Sequence, residues 1–173
     1  MAIDIKDLTE RAKAGDPEAF GRLYEAHARD MYRYALYALG SESLAQDAVQ
    51  QAALAAWRNI RALRDPERFK PWLFRILCNA CKRQLRGKYA ARDCDSLEER
   101  FEDLPEDGAP LGRALELRLA LAALPAGERE ILLLSVLGGY GSQEIGLTLG
   151  LPAGTVRSKL SRALSKLRKE YLT

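Results

Sequence analysis

A short segment in the first half of the chain places an aromatic ring, a carboxamide and four cations on one helical face. At about 100° per residue, a helix gathers these side chains into a single strip. The members of this basic strip are Trp72, Arg75, Asn79, Lys82, Arg83 and Arg86. Rings stack on unpaired bases, amides hydrogen-bond to base edges and cations follow phosphates, so the strip is typical of a surface for single-stranded nucleic acid. The alternative is that Trp72 is a core residue and the cations form an ordinary solvated face.

The same segment contains a CxxC pair, Cys78 and Cys81, which falls about 120° and 180° away from Trp72 on the helix. A tetrahedral metal site requires about four nitrogen or sulfur ligands, and the further candidates are Cys94 and His27. Redox-active thiols usually sit at a helix N-terminus, whereas these lie in the middle of the helical pattern. We therefore expect small buried hydrophobic residues here and no metal or cofactor. A thiol-based or zinc-based sensor is the alternative.

A second chemical surface lies in residues 143–160, which read QEIGLTLGLPAGTVRSKL. Gly146 is small where two helices would cross, Gly150 can supply the left-handed backbone that ends a helix, and Val156 points back into the pair. This pattern is typical of a helix-turn-helix. Serines flanked by cations on the face opposite the apolar stripe suit a helix lying in a major groove. The alternative is a solvated face on a structural helix. The stripe consists of Val156, Leu160, Ala163, Leu164, Leu167 and Tyr171.

The elements that must position these surfaces are all predicted to be helices. No stretch alternates apolar and polar residues long enough to argue for a strand. Pro17, Pro71 and Pro125 stand where a helix can begin. We expect an all-α chain of two small helical domains, 1–90 and 113–173, joined by a flexible acidic linker over 91–112. The predicted helices cover 5–14, 17–39, 43–60, 70–87, 113–123, 127–137, 142–149 and 153–170.

Charge is unevenly distributed in this chain of 173 residues, although the net charge is only +3. Residues 67–92 hold eight cations and one acid, 93–112 hold eight acids and one cation, and 151–173 hold six cations and one acid. Two basic blocks around an acidic one indicate two polyanion-binding surfaces with a repelling connector. No apolar run reaches the roughly 18 residues of a membrane span, and no secretory leader is visible, so we expect a cytoplasmic protein without direct membrane insertion.

Together these segments resemble the bacterial RNA polymerase sigma factors of the extracytoplasmic function (ECF) class. AGDPEAFGRLYEAH and DAVQQAALAAWRNI are similar to the opening and the core-binding segment of that class. FKPWLFRILCNACKRQLR is similar to its promoter-melting helix, and ALPAGEREILLL with GLPAGTVRSKLSRALSKLR to its C-terminal domain. Arg83, Cys78, Gln51 and Gly141 depart from residues that are frequent in the class. The resemblance implies a subunit of RNA polymerase and not an enzyme.

By similarity, the N-terminal domain binds the clamp helices of core polymerase, the polymerase flap is a further contact, and an anti-sigma factor restrains the protein. The residues implied at the clamp are Asp47, Gln50, Gln51, Leu54 and Arg58, which share one helical face. The basic strip would bind the melted −10 element, with a flipped base entering a pocket built from residues 61–70 and the basic helix. The duplex −35 element would be read by Thr155, Arg157, Ser158, Lys159, Ser161 and Arg162. In the class, the linker follows the RNA-exit path, which suits an acidic chain.

Because no GxxxxGK[ST] motif is present, binding energy alone would open the promoter. The competing hypothesis is a helix-turn-helix regulator of duplex DNA that never engages polymerase. It accounts for residues 142–170 but assigns no role to the basic strip or the acidic linker.

Overall fold

The structure, a computed structural model, describes residues 4–90 and 113–171, and within those ranges it contains helices and no strand. Two 3-10 turns, Ile60–Ala62 and Pro66–Arg68, connect α3 to α4. The all-α prediction is confirmed, and the predicted linker lies outside the described residues. The helices are α1 (Ile5–Lys13), α2 (Pro17–Leu39), α3 (Glu42–Asn59), α4 (Phe69–Ala90), α5 (Arg113–Ala122), α6 (Ala126–Val136), α7 (Ser142–Leu149) and α8 (Ala153–Tyr171).

Local chemistry sets the ends of these helices. Asp16 accepts hydrogen bonds from the backbone N–H groups of Glu18 and Ala19, and Pro17 occupies the first turn of α2. An acidic N-cap and a proline without an N–H both suit the start of a helix, where backbone donors lack partners. Gly40 ends α2 with φ of 62°, a left-handed conformation that glycine adopts without steric penalty. Helix boundaries therefore lie close to where the sequence signals place them.

The N-terminal module, α1 to α4, surrounds one apolar core. Leu23 and Met31 of α2 and Phe74 of α4 are completely buried in it. Small side chains on α3 let that helix approach α2 and α4 closely, since residues three and four apart share a helical face. The buried α3 alanines are Ala45, Ala48, Ala52 and Ala56. This close packing fixes the orientation of α4, which carries the basic strip.

The C-terminal module, α5 to α8, contains the predicted helix-turn-helix. A Cβ on Gly146 would lie 2.4 Å from the Leu151 carbonyl oxygen, so a larger residue has no room there. Gly150 has φ of 68° and donates its N–H to the Gly146 carbonyl, which ends α7. Val156 is completely buried. The structural roles predicted for these residues are confirmed.

The two modules are in contact. Ile131, Leu134 and Ile145 belong to the same apolar cluster as the core of α1 to α4. A smaller cluster holds α5, α6 and α8 together through Leu121, Leu132 and Ala163, among others. In the ranges described, none of the helices is long and apolar enough to cross a bilayer.

Candidate nucleic-acid interfaces

The basic strip lies along the surface of α4. Arg75, Asn79, Arg83 and Arg86 are exposed, whereas Trp72 and Lys82 are half-buried. On the inner side of the same helix, Leu73, Leu77 and Ala80 are completely buried, and Ile76 is half-buried. The helical period therefore separates a core face from a polar face as predicted.

Trp72 has features of both alternatives from the sequence, a core residue and an accessible stacking surface. Its ring lies 6.0 Å from that of Phe69, centroid to centroid, at an interplanar angle of 44°. It packs against the apolar core and also lines a surface groove. An aromatic side chain that is anchored on one side and open on the other can offer a rigid face to a stacking partner.

That groove runs beside the first turn of α4. Its N-terminal wall includes Leu63, Arg64 and Arg68, within the 61–70 segment predicted to form a base pocket. Its other wall comes from the C-terminal module and includes Tyr140 and Leu147. Tyr140 and Leu147 were not among the residues predicted for this site, because their placement depends on contacts between the modules.

Acidic side chains partner several cations of this surface. Lys82 Nζ lies 2.9 Å from Glu130 Oε1, and Lys70 Nζ lies 3.3 Å from Asp30 Oδ2. Arg68 is paired with Glu144 of α7. Burial is the largest single effect on the Lys82 ammonium group and lowers its pKa, but the hydrogen bond to Glu130 and the charges of Cys78 and Glu130 together outweigh it, so the pKa is raised. Lys82 is thus held in its charged form.

Cys78 and Cys81 are both buried, which confirms their predicted role as small hydrophobic residues. Burial raises the pKa of the Cys78 thiol to about 11 and that of Cys81 to about 12. Reactive thiols need a lowered pKa and solvent access, so this environment disfavours a redox sensor. Among the residues described, no cluster of three or more His, Cys, Asp or Glu side chains could hold a metal ion. Cys94 lies outside them.

The outer face of α8 presents the other basic surface. Arg157, Ser158, Ser161 and Arg162 are exposed, while Thr155 and Lys159 are half-buried. The Ser158 hydroxyl donates to the Gly154 carbonyl at 3.1 Å. Small hydroxyl side chains flanked by cations leave room for the close approach of a phosphate backbone.

The apolar stripe of α8 is only partly as predicted. Val156 and Ala163 are completely buried and Leu160 and Leu167 half-buried, but Leu164 is 45% exposed. Leu164 falls about 80° from Val156 on the helix, at the margin of the stripe, where α5 to α7 do not cover it. The side chain of Tyr171, the last member of the predicted stripe, lies outside the described part of the structure.

The carboxylate of Glu128, on α6, forms salt bridges with two cations of α8, Arg162 and Lys166. Glu128 is only 8% exposed. Its oxygens lie 3.7 Å from Arg162 Nε and 3.2 Å from Lys166 Nζ. The buried acid orients these side chains from the inner edge of the helix.

A third surface lies on α3. Asp47, Gln50, Gln51, Leu54 and Arg58 are all exposed and share one face, and Leu54 is 56% exposed. Beside Leu54 runs an apolar groove whose lining residues include Phe20, Tyr24 and Trp57. The sequence analysis did not predict this groove, although aromatic residues four apart at Phe20 and Tyr24 were an available signal.

Both modules match known protein families. Residues 23–90 match the family model for Sigma-70 region 2, and residues 114–167 match that for Sigma-70, region 4. The RNA polymerase sigma factor NccH of Alcaligenes xylosoxydans xylosoxydans is 33% identical over 92% of this chain and 90% of its own length. The ECF RNA polymerase sigma factor SigL of Mycobacterium tuberculosis is 32% identical over 91% of each chain.

Solved structures agree with these matches. The structure of CnrH, in complex with the cytosolic domain of CnrY, has a TM-score of 0.69 and 28% identity, with 95% of each chain covered. The sigma factor RpoE of Bartonella quintana, in complex with the anti-sigma factor NepR, shares the fold, with a TM-score of 0.70 and 22% identity over 87% of this chain and 95% of that one. With both modules matched and near-full-length relatives above 30% identity, this chain belongs to the ECF class of RNA polymerase sigma factors.

Proposed function

We propose that this sigma factor binds core RNA polymerase through α3, recognises the −35 element as duplex through α8, and holds the −10 element as a melted strand on α4. It acts in the cytoplasm as an initiation factor and has no catalytic step of its own. In this proposal the N-terminal domain comprises 1–90, the C-terminal domain 113–173, and 91–112 connect them.

The observation that carries this proposal is that two basic surfaces with different chemistry lie on two different helices. The α4 surface includes a half-exposed ring and an exposed amide, Trp72 and Asn79. These groups suit unpaired bases, which expose a stacking face and a hydrogen-bonding edge. The α8 surface offers serines and cations on a helix-turn-helix, which suit the phosphates and base edges of a major groove.

The α3 face is the proposed contact with the polymerase clamp. An exposed leucine that adjoins an apolar groove forms a larger exposed apolar patch, and such patches are common at protein interaction sites. Leu54 meets this description, and the apolar groove beside it extends the surface that a partner could cover.

An anti-sigma factor is the proposed restraint. The B. quintana RpoE structure contains an anti-sigma factor, and the CnrH structure contains the cytosolic domain of CnrY. A partner that covers the α3 face of this chain would exclude polymerase by direct competition for Leu54 and its groove.

The test is binding to core polymerase by Leu54→Asp, followed by gel filtration and promoter-dependent transcription. Charge at the centre of an apolar contact should weaken core binding by at least about tenfold, in line with the loss at an interface hot spot. Ala26→Asp is the matched control, because Ala26 is exposed on α2 and belongs to none of the three surfaces. Its core binding should equal that of the wild type. If Leu54→Asp co-elutes with core polymerase as the wild type does, the assignment of the α3 face is wrong.

A further inference from the structure

The first helix, α1, packs against the two 3-10 turns that lead into α4. It lies outside residues 23–90, which match the Sigma-70 region 2 model. Leu8 and Ala12 of α1 are buried in the main apolar cluster together with Leu63, which follows the first turn. We refer to residues 60–68, which contain both turns, as the loop segment. One face of α1 therefore supports the loop segment.

Lys13, the last residue of α1, makes a polar contact with the loop segment. Its Nζ donates a hydrogen bond to the Leu63 carbonyl oxygen at 2.7 Å, across 50 positions of sequence. Lys13 is half-buried, so this bond is partly shielded from water. A carbonyl that leaves water without a donor costs free energy, and charged donors form the stronger hydrogen bonds in proteins. The bond therefore holds the backbone at Leu63.

The backbone hydrogen bonds within the loop segment are local. The Leu63 N–H donates to the Ile60 carbonyl. The N–H groups of Glu67 and Arg68 donate to the side chain and the carbonyl of Asp65, respectively. Short 3-10 turns have poorer hydrogen-bond geometry than α-helices. These bonds shape each turn, but they do not hold the segment against the rest of the module.

The Lys13 contact starts from a helix end that is joined to its neighbour. Arg11 donates from both Nε and Nη2 to Asp16 Oδ2, at 3.0 and 2.7 Å. Asp16 in turn caps the start of α2. Lys13 lies between these two residues in sequence, so its donor projects from a helix end that is tied to α2. A donor on such a supported element can restrain the segment that it contacts.

The restrained segment forms one wall of the groove beside Trp72. Leu63, Arg64, Asp65 and Arg68 all line that groove, and so does Trp72 itself. This wall lies within the 61–70 segment that the sequence predicts for a flipped −10 base. A pocket discriminates between bases only if its walls are held in place, because a wall that moves can adapt to several of them.

We propose that Lys13 is a positioning residue for recognition of the −10 strand: it holds the Leu63 carbonyl, and through it the wall of the groove beside Trp72, in the shape that selects a base. In this proposal Lys13 does not touch DNA. Its loss loosens the loop segment, so base preference at the −10 element falls while α8 reads the −35 element as before. This inference rests on the proposed assignment of the groove to the −10 strand.

The experiment compares holoenzymes assembled from core polymerase and the full chain, either wild type or variant. Lys13→Met removes the ammonium group and keeps an unbranched apolar stem. Lys13→Arg keeps a charged donor at the same position. Lys6→Met is the matched control, because Lys6 is exposed on the same helix and the change in net charge is equal.

Two measurements separate a positioning role from a general loss of stability. Open complexes are selected from a promoter library randomised at the −35 and −10 elements and are then sequenced. In Lys13→Met the enrichment of the preferred base should fall roughly fivefold at a −10 position, the order of effect of a single poor base contact, with the −35 preference unchanged. Hydrogen exchange of the free chain should be at least about tenfold faster in the loop segment, since a hydrogen bond to a charged group is lost. Lys13→Arg and Lys6→Met should match the wild type in both measurements.

The outcomes distinguish this inference from the proposed function. A −10 enrichment that Lys13→Met leaves unchanged overturns the inference alone. The inference also fails if the −10 and −35 preferences fall together, or if Lys13→Arg loses the −10 preference, because either result indicates a general structural role. Altered preference with unchanged hydrogen exchange overturns the indirect mechanism. A wild-type holoenzyme without any base preference at the −10 element refutes the proposed function, and this inference with it.

Discussion

Gly146→Ala tests how closely the two helices of the C-terminal motif are coupled. The added Cβ would lie 2.4 Å from the Leu151 carbonyl oxygen, and ordinary contact begins at 3.4 Å, so the turn must move by about 1 Å. The obstacle is backbone, and the same residue donates its N–H to the Gly146 carbonyl at 2.8 Å, so it cannot simply rotate away. Alanine gains up to about 1 kcal/mol in helix propensity. Overpacking costs about 1–3 kcal/mol. Since the clash involves backbone, we expect a net destabilisation of about 1–2 kcal/mol.

Equilibrium urea unfolding followed by circular dichroism measures this effect, with Gly154→Ala as the matched control. A Cβ on Gly154 would meet nothing within 4 Å. That substitution should therefore leave stability unchanged or raise it by up to about 1 kcal/mol. A shift of the turn also changes the orientation of α8, so Gly146→Ala should bind −35 duplex more weakly than Gly154→Ala. Equal stability of Gly146→Ala and the wild type would refute the steric argument.

Three further substitutions test the surfaces and the buried thiol. Trp72→Ala should spare duplex −35 binding but impair promoter opening, because it removes a stacking face that contributes roughly 1–3 kcal/mol per base; permanganate footprints of undiminished intensity would contradict this. Arg162→Ala should weaken −35 binding by about 1–3 kcal/mol if the side chain contacts a guanine. A loss of equal size on every sequence in a binding assay would identify a phosphate contact instead. Burial raises the pKa of Cys78 from 9.0 to about 11 in the folded protein. The contribution of the neutral thiol to the free energy of unfolding is therefore fully present below about pH 9 and is lost as the pH rises towards 11. Between about pH 8 and pH 10 the wild type should lose on the order of 1 kcal/mol of unfolding free energy that Cys78→Ala does not lose, and parallel pH profiles would exclude this effect.

Much of the local structure could be predicted from the sequence because its causes are local. Pro17 after an acidic cap marks the start of α2, and Gly150 marks the end of α7, in each case through the backbone conformation that these residues allow. The burial of Cys78 and Cys81 was predicted because periodicity places them off the basic strip, they lie in the middle of a helix, and too few further ligands are available for a metal site. Such features depend on neighbours within one or two turns.

The remaining features depend on contacts between distant segments. Nothing in the sequence around Glu130 or Glu144 indicates that these acids meet Lys82 and Arg68, which are 48 and 76 positions away. Leu164 is a second example. Periodicity predicted that it belongs to the apolar stripe of α8, but no neighbouring helix covers it and it is 45% exposed. Periodicity predicts which face of a helix is apolar, and tertiary packing decides how much of that face is covered. The roles assigned to the α3, α4 and α8 surfaces stay predictions until the binding experiments are made.

The position of Glu128 beneath α8 has a consequence for the salt dependence of −35 binding. Each cation that neutralises a DNA phosphate releases condensed counterions. The logarithm of the binding constant then falls more steeply with the logarithm of the salt concentration, by about 0.9 in slope per contact. Arg162 and Lys166 already share an internal counter-charge, so while they keep it they release fewer ions from the duplex. Non-specific binding to DNA should then be weaker and less sensitive to ionic strength. Contacts with bases would therefore contribute a larger share of the binding free energy at a promoter.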